Sequence, residues 1–172
     1  MDPRLASLFA GLKAARFADL SGSEAYTVVK ISERLLNEST ATFLAGSSVV
    51  REIKLHPRAA NQIDVQVKLA KPAFLPAFNV TLHVEQQPRL PDHPEVVLRL
   101  SGAGGLLRLA GPAIQSSGSL PPGISLTGDR VNVDVRHVLE SHGRAEVLEY
   151  VEQMQVLSED GRLVLAVQLR VR

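Results

Sequence analysis

The sequence predicts an α+β domain in which a long, curved antiparallel β-sheet of about eight strands wraps around one main helix. Apolar and polar residues alternate with a period of two over most of the chain after residue 49, which indicates strands with one buried face. One segment, residues 30–44 (KISERLLNESTATFL), carries a helical pattern instead. Hydrophobic residues make up 45% of the chain but aromatic residues only 4%, so the core is aliphatic and favours strands.

The 172 residues suffice for one domain, and they contain no fixed repeat and no linker. We therefore expect a single domain over residues 1–172. Its N-terminal amphipathic helix lies within residues 1–20, and its sheet-and-helix body spans residues 26–171.

Charge and cysteine content exclude several function classes. Lys and Arg total 19 and Asp and Glu total 18, so the net charge of +1 predicts no nucleic-acid partner. The chain has no Cys, which excludes a disulfide framework, a thiolate metal site and a cysteine nucleophile.

The short N-terminal helix is predicted over residues 3–17, with Asp2 as its N-cap and Pro3 at its first position. Its apolar face comprises Leu5, Leu8, Phe9 and Leu12. Two alternatives stay open for it. It covers one end of the core, or it lies on a membrane surface as a peripheral contact, with Lys13 and Arg16 as its basic flank.

The expected location depends on the start of the chain. No apolar run approaches the ~20 residues that span a bilayer. Lys13 and Arg16 follow the first apolar stretch instead of preceding it, which is not the pattern of a signal peptide. We expect a protein that is cytoplasmic or peripheral to a membrane if Met1 is the native start, and periplasmic or exported if an upstream signal was removed.

The main helix has clear boundary signals. Ser32 is a natural N-cap, Glu33 complements the helix dipole in the first turn, and Gly46 can end the helix. Its inward side is predicted to carry Leu35, Leu36, Phe43 and Leu44, with Ser39 and Thr40 between them. These two hydroxyl residues either let helix and sheet approach closely or mark a cavity.

Alternation predicts the strands from residue 53 onward. The inward positions of the first four are Ile53 and Leu55; Ile63, Val65, Val67 and Leu69; Phe78, Val80, Leu82 and Val84; and Val96, Leu98 and Leu100. Between the second and third, residues 71–78 (KPAFLPAF) are interpreted as a wide bulge that carries Phe74 and Leu75.

The C-terminal half is predicted to end in a β-hairpin. Residues 102–118, with Leu106 and Leu107, form a short helix or an irregular apolar flap. Short strands follow around residues 124–126 and 131–135, and then a short helix over residues 134–141. The hairpin arms are residues 145–157 and 162–171, joined by a turn with Asp160-Gly161.

No catalytic or metal-binding motif is present. HExxH, GxSxG and Walker-type phosphate loops are all absent, so we predict no enzyme, no cofactor and no metal site. The five histidines are interpreted as surface residues: His56, His83, His93, His137 and His142. The acidic residues are dispersed in sequence, and a pairing of two of them in space stays open.

The order of elements and two short motifs resemble a known family. The matching residues are Ile31, Ser32, Glu33, Leu36 and Asn37, then Leu120, Pro121, Gly123, Leu126, Gly128, Asp129, Val131, Val133 and Asp134. In this order the chain resembles the LmeA-like (DUF2993) phospholipid-binding group of the tubular lipid-binding (TULIP) superfamily. That resemblance implies a curved sheet around a helix, with acyl chains held in the groove between them.

The first hypothesis is therefore non-catalytic binding of a lipid or other apolar small molecule in that groove, either in solution or at a membrane surface. The expected groove residues are Leu35, Leu36, Ser39, Thr40, Phe43, Leu44, Phe74, Phe78, Leu106 and Leu107. The second hypothesis is a structural or protein-interaction module with a fully packed core and no ligand. It would meet a partner, or another copy of itself, through the N-terminal helix or a sheet edge.

Overall fold

The structure is a computed structural model that describes residues 20–70, 76–102 and 120–171. The elements in chain order are β1 (Glu24–Ser32), α1 (Glu33–Leu44), β2 (Val50–Arg58), β3 (Gln62–Leu69), β4 (Phe78–Gln86), β5 (Glu95–Ser101), β6 (Ile124–Thr127), β7 (Arg130–Asp134), α2 (Val135–Ser141), a 3₁₀ helix (Ala145–Tyr150), β8 (Val151–Glu159) and β9 (Arg162–Arg170). The predictions for the helix over residues 3–17, for the bulge with Phe74 and Leu75 and for Leu106 and Leu107 lie outside the described residues.

The larger sheet has six antiparallel strands in the order β2-β3-β4-β5-β7-β6, and it curls strongly into a half-barrel. Its curl follows from the twist that antiparallel strands accumulate across a sheet. β3 shows why one face is apolar: Ile63, Val65, Val67 and Leu69 are buried, whereas the residues between them are only partly buried. Because Val65 and Val67 line a groove inside the curl, the apolar face is the concave one.

The smaller sheet has three antiparallel strands in the order β1-β9-β8, so the first described strand pairs with the last. Several polar side chains join the sheets, among them those of Gln87 and Ser158. Gln87 exchanges two hydrogen bonds of 2.8 Å with the backbone N–H and C=O of Val156 on β8. The buried Ser158 hydroxyl lies 2.7 Å from the carbonyl oxygen of Arg58 and 2.9 Å from that of Gln62.

The α+β class and the antiparallel pairing are confirmed, but the single sheet of about eight strands is not, because the described strands divide between two sheets. The cause lies at the end of β1. Ser32 is the last residue of β1 and also caps α1, since its Oγ accepts a hydrogen bond of 3.3 Å from the N–H of Leu35. The chain therefore turns away before β2, and β1 pairs along its length with β9.

The prediction that the sheet wraps around the main helix is not confirmed either. α1 packs against β2, which is an edge strand of the larger sheet. Leu35 is 50% exposed and Phe43 is 45% exposed, whereas Leu44 is buried. A helix enclosed by a curved sheet would bury all three side chains.

From residue 120 onward, the predicted strands, short helix and hairpin turn are confirmed with one correction, whereas the prediction for residues 103–118 lies outside the described residues. α2 has Asp134 as its N-cap, with a hydrogen bond of 3.0 Å from the N–H of His137, and the hairpin turn has Gly161 at φ 71°. The predicted hairpin arm over residues 145–157 is wrong in its first part, where a 3₁₀ helix precedes β8. The turn of this helix brings Leu148 into the buried cluster that contains Val96.

Candidate functional site: an apolar groove on the concave face

The concave face of the six-stranded sheet carries a groove of about 140 Å³. It lies at one end of the half-barrel, and all six strands of the sheet contribute residues to it. We call this region the open half. Its wall consists of Leu44, Val50, Ile53, Val65, Val67, Phe78, Val80, Leu82, Leu100, Leu120, Ile124, Ser125, Leu126 and Val131.

The other end of the concave face is covered by protein. Val96 on β5 packs with Val135 of α2, Leu148 of the 3₁₀ helix and Val156 of β8. Met154 and Leu165 of the smaller sheet also pack against this group. We call this region the filled half, because the smaller sheet and the short helices cover the concave face here.

The predicted groove residues are only partly brought together. Leu44 and Phe78 line the groove. Leu36 and Thr40 are half-buried on α1 and do not line it, and Ser39 is exposed with Leu35 and Phe43. Phe74, Leu106 and Leu107 lie outside the described residues. The described wall is thus built mainly by strand residues that the alternation placed inside without assigning them a role.

α1 contributes little to the wall because a side chain ties it to the outer edge of β2. Asn37 donates to the carbonyl of Leu55 at 3.0 Å and accepts from the N–H of Leu55 at 2.7 Å. This amide takes the place of a neighbouring strand at the edge. Glu33 adds a contact of 2.8 Å between its Oε1 and Nδ1 of His56. The sequence marks Asn37 only through the motif that resembles a known family, and helical spacing does not predict its contact with β2.

Thr40 does not mark the cavity, because it does not line the groove. Its hydroxyl donates to the carbonyl of Leu36 one turn earlier, at 2.8 Å, which is a common arrangement of Thr within a helix. The hydroxyl is therefore satisfied by its own helix.

Two carboxylates with a shifted pKa, Asp64 and Glu85, lie on the opposite, convex face of the larger sheet. Hydrogen bonds from Arg58 and then from Thr81 hold the pKa of Asp64 below its ordinary value. A two-pronged contact with Arg130, at 2.8 and 3.1 Å, lowers the pKa of Glu85. These are carboxylates held in their charged form by partners, and such groups are poor proton donors near neutral pH.

A second concavity of about 550 Å³ lies on the convex face around Glu85, Arg89 and Arg130. Its Arg130 is neutralised by Glu85, and it is more open to solvent than the apolar groove. Among residues 20–70, 76–102 and 120–171, no group of three His, Cys, Asp or Glu side chains could hold a metal ion.

Within the described part of the chain, no helix is long and apolar enough to cross a bilayer. The membrane contact predicted for residues 3–17 falls outside this part and stays a prediction.

Comparisons with protein-family models, curated proteins and solved structures return no match to this chain. The resemblance to the tubular lipid-binding superfamily therefore stays a prediction.

Proposed function

We propose that this protein binds an apolar ligand, such as an acyl chain, in the groove of the open half. One observation carries the proposal. The wall combines apolar side chains from α1 and from strands of the larger sheet, and it leaves a volume of about 140 Å³. Concave, mostly apolar pockets are where small ligands bind in proteins.

The chemistry of the wall supports an apolar ligand over a polar one. Ser125 is the single wall residue with a polar side chain among those described, and no titratable residue lines the described wall. A polar ligand would lose its hydrogen bonds to water there without replacement. An apolar ligand gains roughly 0.8 kcal/mol for each CH₂ removed from water and needs no directional partner.

The volume sets the size of the group that enters. An engineered protein cavity of roughly 150 Å³, lined by aliphatic and aromatic side chains, binds benzene. The described groove, at about 140 Å³, has space for a ring or a short stretch of acyl chain. The remainder of a longer ligand would extend through the open side, so selectivity would follow the shape of the inserted end.

Binding without turnover follows from the separation of apolar and charged groups. The carboxylates with a shifted pKa, Asp64 and Glu85, lie on the convex face, and the sheet itself separates them from the groove. General acid–base catalysis needs a titratable group within hydrogen-bond reach of the substrate. We therefore propose a carrier or sensor of an apolar molecule.

The test is the affinity for cis-parinaric acid, a fluorescent fatty acid, in wild type and in two matched variants. Val131→Phe fills the groove, whereas Val97→Phe makes the same change on the other face of the neighbouring strand β5. Displacing two ligand CH₂ groups corresponds to about 1.6 kcal/mol, so Val131→Phe should weaken binding about tenfold or more. Val97→Phe should bind as wild type does.

Native mass spectrometry of the purified protein provides an independent readout, because co-purified acyl species would appear as added mass. A wild-type protein that carries no such species and ignores the fluorescent acid contradicts the proposal, as do equal losses in both variants. Either result would favour the packed interaction module.

A further inference from the structure

Strand β1 presents an unusual edge. Tyr26 is 71% exposed, and Val28 and Val29 are also among the exposed large apolar side chains. The strand has nine residues, EAYTVVKIS, without proline and without a register shift against β9. Among the described strands only β9 pairs with it, so no described strand covers its other edge, which we call the open side. Long, apolar and regular edges of this kind pair readily with another strand.

The hydrogen bonds at the two ends of β1 show which backbone groups face that open side. The N–H of Glu33 donates to the carbonyl of Gly161 at 2.9 Å, and the N–H of Val171 donates to the carbonyl of Ser23 at 3.0 Å. Bonded and non-bonded positions alternate in an antiparallel pair, so the odd-numbered residues of β1 bond to β9. The residues whose N–H and C=O point to the open side are Glu24, Tyr26, Val28 and Lys30, since the carbonyl of Ser32 begins α1.

Glu24 and Lys30 on β1 each form ion pairs with charged residues of the neighbouring strands. At one end, Glu24 contacts Arg170, which also contacts Glu152 at 2.8 Å. At the other end, Nζ of Lys30 lies 3.2 Å from Oε2 of Glu159. The open edge therefore carries a negative charge near its start and a positive charge near its end. A second copy rotated by a two-fold axis presents these charges in reverse order.

We propose that β1 pairs antiparallel with β1 of a second copy of this chain, so that the two smaller sheets become one. In the proposed register Glu24 faces the second copy's Lys30, Tyr26 faces its Val28, and Thr27 lies at the two-fold axis. All residues that bond across the axis are then even-numbered, as the free backbone groups require. The ion pairs of the two copies join into continuous rows of alternating charge.

Neighbouring registers fit less well. A shift by one residue would require N–H groups that already bond to β9. A shift by two places Glu24 opposite Ser32 and Lys30 opposite Tyr26, so both charge pairs across the axis are lost. Opposite charges at facing positions stabilise an antiparallel pair, and like charges destabilise it. The interface is self-complementary, as a two-fold dimer requires.

Charge reversal tests the pairing by sedimentation across a dilution series of the purified chain. Wild type should dimerise reversibly. Glu24→Lys alone and Lys30→Glu alone each place like charges across the axis, so each should dimerise about tenfold more weakly or worse. An equimolar mixture should recover dimers, because every facing pair in a mixed dimer has opposite charges. If a substitution disturbed only its own chain, it would weaken dimers of the single variant and mixed dimers equally. Recovery in the mixture therefore reports the contact across the axis.

Cysteine cross-linking tests the register, and the chain offers a clean background because it has no Cys. Thr27→Cys places two thiols at a non-hydrogen-bonded pair, where Cα atoms are about 4.5 Å apart, within the range of about 4.4–6.8 Å for disulfides. Val28→Cys and Val29→Cys are the matched controls. Thr27→Cys should form disulfide-linked dimers fastest under mild oxidation.

Three results would overturn the inference. They are a wild type that stays monomeric throughout the dilution series, a mixture that dimerises no better than its components, and cross-linking in which Thr27→Cys is not fastest. Since β1 lies outside the groove wall, none of these results depends on ligand binding.

Discussion

The two halves of the concave face differ in what covers them, although the same alternation builds both. In the filled half, Val96 is covered by Leu148 and Val156. In the open half, Val80 is equally buried by its neighbours within the sheet but faces a groove of about 140 Å³. A repeating apolar face thus shows which side chains turn inward, while function depends on which part of that face other elements leave uncovered.

The largest expected effect is a difference in unfolding free energy between Leu→Ala substitutions in the two halves. Leu148 and Leu126 are 8% and 7% exposed, so the two positions are matched in burial. Leu148→Ala leaves a closed cavity and should cost about 3 kcal/mol of unfolding free energy, within the usual range of roughly 2–5 kcal/mol. Leu126→Ala should cost less, because the lost volume merges with a groove that already exists.

Urea denaturation measures both variants. Leu126→Ala should also admit a bulkier fluorescent ligand than wild type does, whereas Leu148→Ala should leave ligand size unchanged. Equal losses of stability would mean that the two halves are equally packed, which would contradict the comparison.

The next effect concerns the attachment of the smaller sheet that covers the filled half. Gln87→Ala removes the partner of both backbone groups of Val156, and groups left unsatisfied cost about 1–3 kcal/mol. We expect a loss near 2 kcal/mol in thermal or urea unfolding. Gln86→Ala, next to it and exposed, is the control and should stay within about 0.5 kcal/mol of wild type. Matching losses would show that the Gln87 amide does not hold the sheets together.

A smaller effect tests why α1 leaves the groove open. Asn37→Ala frees the edge of β2 at Leu55 and should cost about 1–2 kcal/mol. Since Leu44 of the same helix lines the groove, affinity for the fluorescent acid should change as well. Ser39→Ala, exposed on α1, should alter neither measurement. Unchanged stability in Asn37→Ala would show that other contacts position the helix.

The smallest effect is a pH dependence on the convex face. The folded-state pKa of Asp64 lies below its unfolded value, so its contribution is complete above the unfolded pKa and is lost as pH falls through the folded pKa. Because the ion pair with Arg58 is largely exposed, we expect less than about 1 kcal/mol. Asp64→Asn should therefore lose less stability on acidification than wild type. Superimposable acid profiles would contradict this assignment.

Much of the local structure was predictable because its signals span only a few residues. Ser32 caps α1 as predicted, the short helix forms within residues 134–141, and β3 keeps the predicted alternation from Ile63 to Leu69. The division into two sheets was not predictable in this way. It depends on the pairing of β1 with β9, whose residues lie more than a hundred positions apart.

The candidate site shows the same limit. Leu44 and Phe78 were predicted from their place on an apolar face, and they line the groove. Leu35 and Phe43 also lie on the apolar side of their helix but remain exposed, because Asn37 holds α1 along the edge of β2. Helical spacing shows which side chains share a face but not what that face meets.

By itself, the sequence determined the aliphatic composition, the inward and outward faces of the strands, the helix caps and the hairpin turn at Gly161. Each of these follows from side-chain type and backbone preference over a few neighbouring positions. Only the tertiary structure decided that one half of the concave face is filled and the other open. That outcome depends on contacts between distant segments, such as Gln87 with Val156, whose partners no local pattern specifies.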